Sequence, residues 1–178
     1  MEIDCKARHL IDEGIDVAVR IGPLADSNLI ARRVGEVRAV LVASPTYLAA
    51  RGMPKKPADL AAHDIVVGGA RPEPTEWRFG TPKRNTMVRL SPRLVVNETE
   101  ARLVAVKAGQ GITRVLSYQV NEELRTGSLV RLLTAFEPPA LPVHLVAPNG
   151  GHKTPKARVF LDYAAESLGK LRVIRPEK

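Results

Sequence analysis

Along residues 97–118 the spacing of apolar positions changes from a helical to an extended pattern. Ala101, Val104, Ala105 and Ala108 recur at i, i+3, i+4 and i+7, which predicts a helix with one apolar face. Asn97 with Glu100 three residues on resembles a capping box, so the helix is expected to start on an Asn97 cap. Gly109 and Gly111 stop it, because glycine tolerates the left-handed conformation of a helix end. Ile112 to Leu116 then reads as a strand, and Arg93–Val96 as the strand before the helix. A helix N-terminus at the end of a strand of an open α/β sheet is where small, often anionic, ligands settle.

The rest of the chain carries the same alternation. Met1–Lys6 reads as a strand tail, Ala7–Glu13 as a short helix stopped by Gly14, and Ile15–Ile21 as a strand closed by Gly22-Pro23. Ala25–Asn28 is a loop, and Leu29–Arg33 and Val37–Ala43 are strands. Ser44 caps and Pro45 opens a short helix. A second short helix spans Ala58–His63 and a strand spans Asp64–Val67. Residues 70–92, which include Arg71-Pro72-Glu73-Pro74, predict exposed loops and the short antiparallel strands Trp77–Phe79 and Thr86–Leu90. Ser117–Gly127 reads as a helix, with Leu129–Leu133 and Val143–Val146 as strands. A last helix starts at Thr154-Pro155 and sets Val159, Phe160, Tyr163, Ala164 and Leu168 on one side. Strands alternating with helices argue for the α/β class.

Composition narrows the function. Hydrophobic residues make up 44% of the 178, enough for a sizeable core, and only 4% are aromatic, too few for a base-stacking platform. The net charge of +8 is spread unevenly. Residues 1–60 carry nine Lys and Arg against eight Asp and Glu, and residues 61–148 carry eleven against eight. The last thirty carry seven against three, so the excess reads mainly as a solvated surface. Cys5 is the only cysteine, which excludes an intrachain disulfide and a thiolate metal cluster. No signal peptide and no run of roughly 20 apolar residues is present, so the expectation is a soluble, cytoplasmic protein with no membrane partner. His9, His63, His144 and His152 share no ligand spacing, so no metal and no cofactor are expected. Gly109-Gln110-Gly111 follows its helix and is no dinucleotide fingerprint. Neither a nucleophile elbow nor a Walker sequence occurs, so no enzyme activity is expected.

Five segments in order carry a family resemblance. They are Asp12-Glu13-Gly14-Ile15-Asp16-Val17-Ala18-Val19-Arg20-Ile21-Gly22, Ser44-Pro45-Thr46-Tyr47-Leu48 and Pro57-Ala58-Asp59-Leu60 with His63. Gly109-Gln110-Gly111-Ile112 with Thr113 to Val120 follows, and then Phe136-Glu137-Pro138-Pro139 with Leu141 to Val146. Together they resemble the effector-binding domain of LysR-type transcriptional regulators. The resemblance implies a type II periplasmic-binding-protein-like fold, with two α/β lobes joined by two crossover strands and a small-molecule effector in the cleft between them. Lobe one would be residues 1–43 plus 147–178, incomplete at its N-terminus. Lobe two would be residues 44–146, and Val37–Ala43 and Val143–Val146 the crossovers. The resemblance further implies a homodimer or tetramer, and DNA contact only through a winged helix-turn-helix that this chain lacks; on that reading it is a fragment.

The candidate effector contacts are seven. Asn97, Glu98 and Thr99 form the helix start. Arg20 and Gly22 close the lobe-one strand, where a guanidinium can fork onto a carboxylate. Arg38 starts the outward crossover, and Thr113 can offer a hydroxyl. Each also has an ordinary structural reading: an N-cap, an arginine stem on a sheet edge, a β-branched strand residue. The expected effector is an organic acid or an aromatic metabolite. A solute-binding protein of the same fold and a small α/β enzyme are the alternatives, and direct DNA binding by the +8 surface a further one.

Overall fold

The computed structural model describes residues 15–24, 29–69, 74–81, 84–148 and 155–175. The strand expected at Met1–Lys6, the helix at Ala7–Glu13, the Ala25–Asn28 loop, Arg71 to Glu73 and the Thr154 cap lie outside them. The chain divides into two compact units, and it passes between them at 37–38 and 139–140.

One unit is the continuous segment Arg38–Pro139. Its sheet has the order β7-β4-β8-β3-β9, formed by β3 (Ala39–Ala43), β4 (Ile65–Val67), β7 (Leu94–Val95), β8 (Ile112–Leu116) and β9 (Val130–Leu132). β4 runs parallel to both β7 and β8, while β3 is antiparallel to β8 and β9. The central strand β8 is buried on both faces. On one face Ile112 joins Leu41, Tyr47, Leu60, Ile65 and Leu132, and the hairpin β5 (Thr75–Thr81) and β6 (Arg84–Leu90) adds Trp77, Phe79 and Leu90. On the other face Val40, Val42, Val66 and Val115 meet Leu103 and Val106 of α2 (Thr99–Lys107).

The local signals for α1 (Pro45–Arg51) hold: the Ser44 hydroxyl accepts the Tyr47 N–H at 3.3 Å and Pro45 is the first helical residue. The segment expected as a helix at Ala58–His63 is a 3₁₀ turn over Pro57–Ala62. Ser117–Gly127 splits into a 3₁₀ turn, Ser117–Val120, and α3 (Asn121–Thr126), which Gly127 ends in the left-handed conformation.

Two expectations for α2 fail. Its N-cap is Glu98, not Asn97, and no side chain caps it. The cause is the sheet: the Val96 N–H bonds the Val67 carbonyl at 2.9 Å, which holds the chain in the β4 ladder. The turn is thereby delayed, and the first i→i−4 bond runs from Arg102 N–H to the Glu98 carbonyl. The buried face is also rotated. Arg102, Leu103 and Val106 are buried, whereas Val104, expected inward, is 63% exposed. The expected stripe offered one large aliphatic and three alanines; the observed one buries a leucine and a valine, and larger apolar area removed from water wins.

The other unit comprises Glu2–Val37 and Ala140–Lys178. Its sheet is β1 (Ala18–Ile21), β10 (Leu141–Pro148) and β2 (Leu29–Val37), all antiparallel with β10 in the centre. β2 runs unbroken where a break between Arg33 and Val37 was expected, and Arg38 is the residue that separates it from β3. α4 (Pro155–Gly169) packs against β2. Val159, Phe160 and Tyr163, expected on its inward side, are exposed, and Ala165 is buried instead. Small residues let the helix backbone lie close to the sheet, and the bulky ones are turned out. Gly35 makes a separate close approach, to the 3₁₀ turn Arg172–Ile174, since a Cβ there would collide with the Ile174 carbonyl oxygen.

Candidate functional site

In the Arg38–Pro139 unit the carboxyl ends of the parallel strands line up along one sheet edge. Gly68 follows β4, Asn97 to Thr99 follow β7, and Ser117 follows β8. Arg38, at the start of the antiparallel β3, is tied to the same edge: its N–H donates to the Ser117 hydroxyl at 3.1 Å, and its carbonyl accepts the Ser117 N–H at 2.8 Å. Four of the seven candidates, Arg38, Asn97, Glu98 and Thr99, therefore share this edge. Asn97 and Glu98 are exposed and Thr99 is half-buried as the first residue of α2. With no side-chain cap, the first amide N–H groups of α2 keep their donor capacity at its positive end.

Thr113 lies within β8, paired with Val42 and Val66, and is fully buried. Its hydroxyl has no hydrogen-bond partner among the described residues. Arg20 and Gly22 belong to the other unit. Arg20 pairs with His144 across β1 and β10, and Gly22, with φ of 110°, donates its N–H to the Pro142 carbonyl at 2.9 Å.

Two arginines were not anticipated. Arg102 is 4% exposed. Its Nη2 donates to Thr99 Oγ1 at 3.3 Å, and a Cβ on Gly68 would lie 2.1 Å from its Nη1. No carboxylate pairs with it among the described residues, and its Nε–H is without a partner there. Burial pushes its pKa below the ordinary arginine value. The signal was present in the sequence: Thr99, Arg102, Leu103 and Val106 share one helical face, which places a charge inside an apolar stripe.

Arg114, on β8, has its guanidinium 5.2 Å from the Trp77 ring centre and 4.8 Å from that of Phe79, and donates to the Arg78 carbonyl at 2.8 Å. Burial lowers its pKa to about 10, with the Glu137 carboxylate pulling the other way. It braces the β5–β6 hairpin on the sheet. Beside that hairpin a cavity of about 470 Å³ is lined by Phe79, Gly80, Thr81, Thr86, Ala135 and Phe136.

At the opposite end of β4, the Tyr47 hydroxyl accepts the Asp64 N–H at 2.8 Å and lies 3.1 Å from His63 Nδ1. Burial, then the Arg51 charge, lowers the His63 pKa. Among the described residues no group of three or more His, Cys, Asp or Glu could hold a metal ion. The uncapped start of α2 at this edge thus offers backbone N–H donors, suited to holding a small polar or anionic group.

Comparison with known families fits this layout. Residues 6–169 match the model of the LysR substrate binding domain. The chain belongs to that family. The curated HTH-type transcriptional activator AaeR of Escherichia coli strain K12 is 34% identical over 171 residues, which cover 93% of this chain and 54% of AaeR. The transcriptional regulator PtxR of Pseudomonas aeruginosa is 31% identical over 170 residues, covering 96% of this chain and 54% of PtxR. Among solved structures, CrgA of Neisseria meningitidis, a LysR-type transcriptional regulator, superposes with a TM-score of 0.78 at 28% identity, covering 92% of this chain and 55% of CrgA. The regulatory domain of AphB from Vibrio vulnificus gives 0.74 at 31% identity, with 87% of this chain and 76% of that domain covered. A LysR substrate binding domain has the type II periplasmic-binding-protein-like α/β fold, as expected above. The chain spans about half the length of the curated relatives it matches. No helix among the described residues is long and apolar enough to cross a membrane.

Proposed function

We propose that this chain is the effector-sensing part of a LysR-type DNA-binding regulator, and that it binds a small molecule without transforming it. The observation that carries the reading is the family match over residues 6–169, joined to the uncapped start of α2 after Asn97 and Glu98. The effector contacts we propose are Arg38, Asn97, Glu98 and Thr99 on this edge, with Arg20, Gly22 and Thr113 carried over from the family resemblance. DNA contact would come from a helix-turn-helix domain, in a cytoplasmic homodimer or tetramer.

The mechanism is a population shift. An effector changes operator affinity only by as much as it prefers one arrangement of the regulator over another, about 1.4 kcal/mol for a tenfold change. The test is a calorimetric screen of organic acids and aromatic metabolites against the intact regulator, paired with operator binding at each ligand. A metabolite that binds and shifts operator affinity supports the reading. An intact regulator that binds none of them, and whose operator affinity never responds, sinks it.

A further inference from the structure

We infer that the pocket at the start of β4 is a second ligand site, which takes a small tetrahedral oxyanion of the phosphate or sulfate class between the Arg51 and Arg93 guanidiniums. It lies at the opposite ends of β4 and α2 from Gly68 and Thr99, so it is distinct from the edge proposed for the effector and does not depend on that proposal. The cavity, of about 320 Å³, is lined by Thr46, Ala50, Arg51, Asp64, Arg93 and Gly109, all within the Arg38–Pro139 unit.

Arg51 Nη2 lies 3.4 Å from Asp64 Oδ2, and Arg93 Nη1 lies 3.3 Å from Asp64 Oδ1. One carboxylate thus stands between two guanidiniums, and one positive charge is left over. Both separations exceed the roughly 2.7–2.9 Å of a charge-assisted hydrogen bond, and neither guanidinium has another partner among the described residues. A ligand can reach both. Their side chains are 50% and 62% exposed, and Thr46 and Ala50 at the rim are exposed as well. The carboxylate between them is set by rigid backbone. The Asp64 N–H donates to the Tyr47 hydroxyl at 2.8 Å, and the Asp64 carbonyl accepts the Ile112 N–H at 2.9 Å. Arg93 is held likewise, its N–H donating to the Ile65 carbonyl at 2.9 Å. Nearby negative groups are engaged elsewhere. Asp59 accepts the N–H groups of Lys55 and Lys56, and the Val104, Ala105 and Val106 carbonyls at the end of α2 accept those of Ala108, Gln110 and Gly109. Shape then selects the class. Each guanidinium is a fork that suits two oxygens, so bridging two forks calls for the four oxygens of a tetrahedral anion, where a carboxylate has only two. The Thr46 hydroxyl is a further donor at the rim.

The experiment titrates the chain with sodium phosphate at constant neutral pH and ionic strength, following the amides of Tyr47, Asp64 and Gly109 by nitrogen-15 NMR. Sodium sulfate is the tetrahedral match, sodium acetate the planar one and sodium chloride the baseline. Saturable shifts with phosphate and sulfate are expected, weaker by roughly fivefold with acetate and absent with chloride. Arg51→Gln and Arg93→Gln should each weaken phosphate binding by roughly fivefold. Arg51→Lys and Arg93→Lys, which keep the charge and remove the fork, should also weaken it and serve if the glutamine variants fail to fold. Asp64→Asn separates a ligand site from a plain ion-pair cluster, and it leaves the Asp64 backbone bonds in place. At a ligand site it removes a negative charge beside the anion, so phosphate should bind roughly twofold to fivefold more tightly. If the two arginines only neutralise Asp64, the substitution creates no such gain. The site is overturned by the absence of saturable shifts with phosphate, by an equal response to acetate, by arginine variants that bind phosphate as the unaltered chain does, or by Asp64→Asn binding it no more tightly.

Discussion

The orientation of α2 decides which side chains stand at the sheet edge, and a pair of adjacent truncations tests it. Leu103 is 6% exposed and packs with Val66, Val115 and Leu129; Val104 is 63% exposed. Leu103→Ala removes buried methyl groups and leaves a void, at a cost of about 3 kcal/mol, within the range of roughly 2–5 measured for such changes. Val104→Ala removes only exposed surface and replaces a β-branched residue by the best helix former, so it should be neutral or stabilise by up to about 0.5 kcal/mol. With a urea dependence of about 3 kcal/mol per molar, the Leu103→Ala midpoint should fall by about 1 M. The melting temperature should fall by about 6–12 °C. Trp77, the single tryptophan, is 3% exposed in the same unit and reports this unfolding by fluorescence. Equal losses for the two variants, or a larger loss at Val104, would refute the observed helix face, and with it the burial of Arg102.

Three further outcomes are expected. Gly111→Ala should destabilise by about 2 kcal/mol or more in the same urea titration, because φ is 143° and the new Cβ would meet the Asp64 carbonyl oxygen at 2.3 Å; a loss below about 0.5 kcal/mol would contradict that close approach. Ser44→Ala should cost about 1 kcal/mol through loss of the α1 cap, read as a lowered melting temperature that Ser44→Thr largely restores. His63, whose folded pKa lies below the ordinary 6.5, binds its proton more readily when unfolded, so stability should fall as pH drops below 6.5 and be fully present above it. His63→Gln should flatten this window in melting curves taken across it, and an unchanged slope would show that another group sets it.

Legibility in the sequence followed how local each determinant is. The Ser44-Pro45 start of α1, the Gly109 stop and the strand Ile112–Leu116 rest on residues a few positions apart, and all three are found as expected. The face of α2 was misjudged because its alanines and valines lie all around the helix, so periodicity alone barely prefers one side. The decision came from the space above Val66 and Val115, which only the assembled sheet defines. The same holds for α4, where close approach to β2 favoured Ala165 over Phe160. Asn97 has the right chemistry for a cap and loses to the β4 ladder one residue earlier. Arg102 was readable as a charge in an apolar stripe, but its lack of a counter-ion is a property of the packed unit.

The position of β10 also has a consequence for the order of synthesis. β1 and β2 do not pair with each other; both wait for β10, with Ala18 meeting Val146 and Leu29 meeting Pro148. The intervening segment Arg38–Pro139 holds a complete sheet of its own. On the ribosome that segment is finished while the two earlier strands still lack the partner that joins them. Strands made before that segment are therefore among the last to acquire their sheet, and in that interval their unpaired edges are what a chaperone or a neighbouring nascent chain would meet.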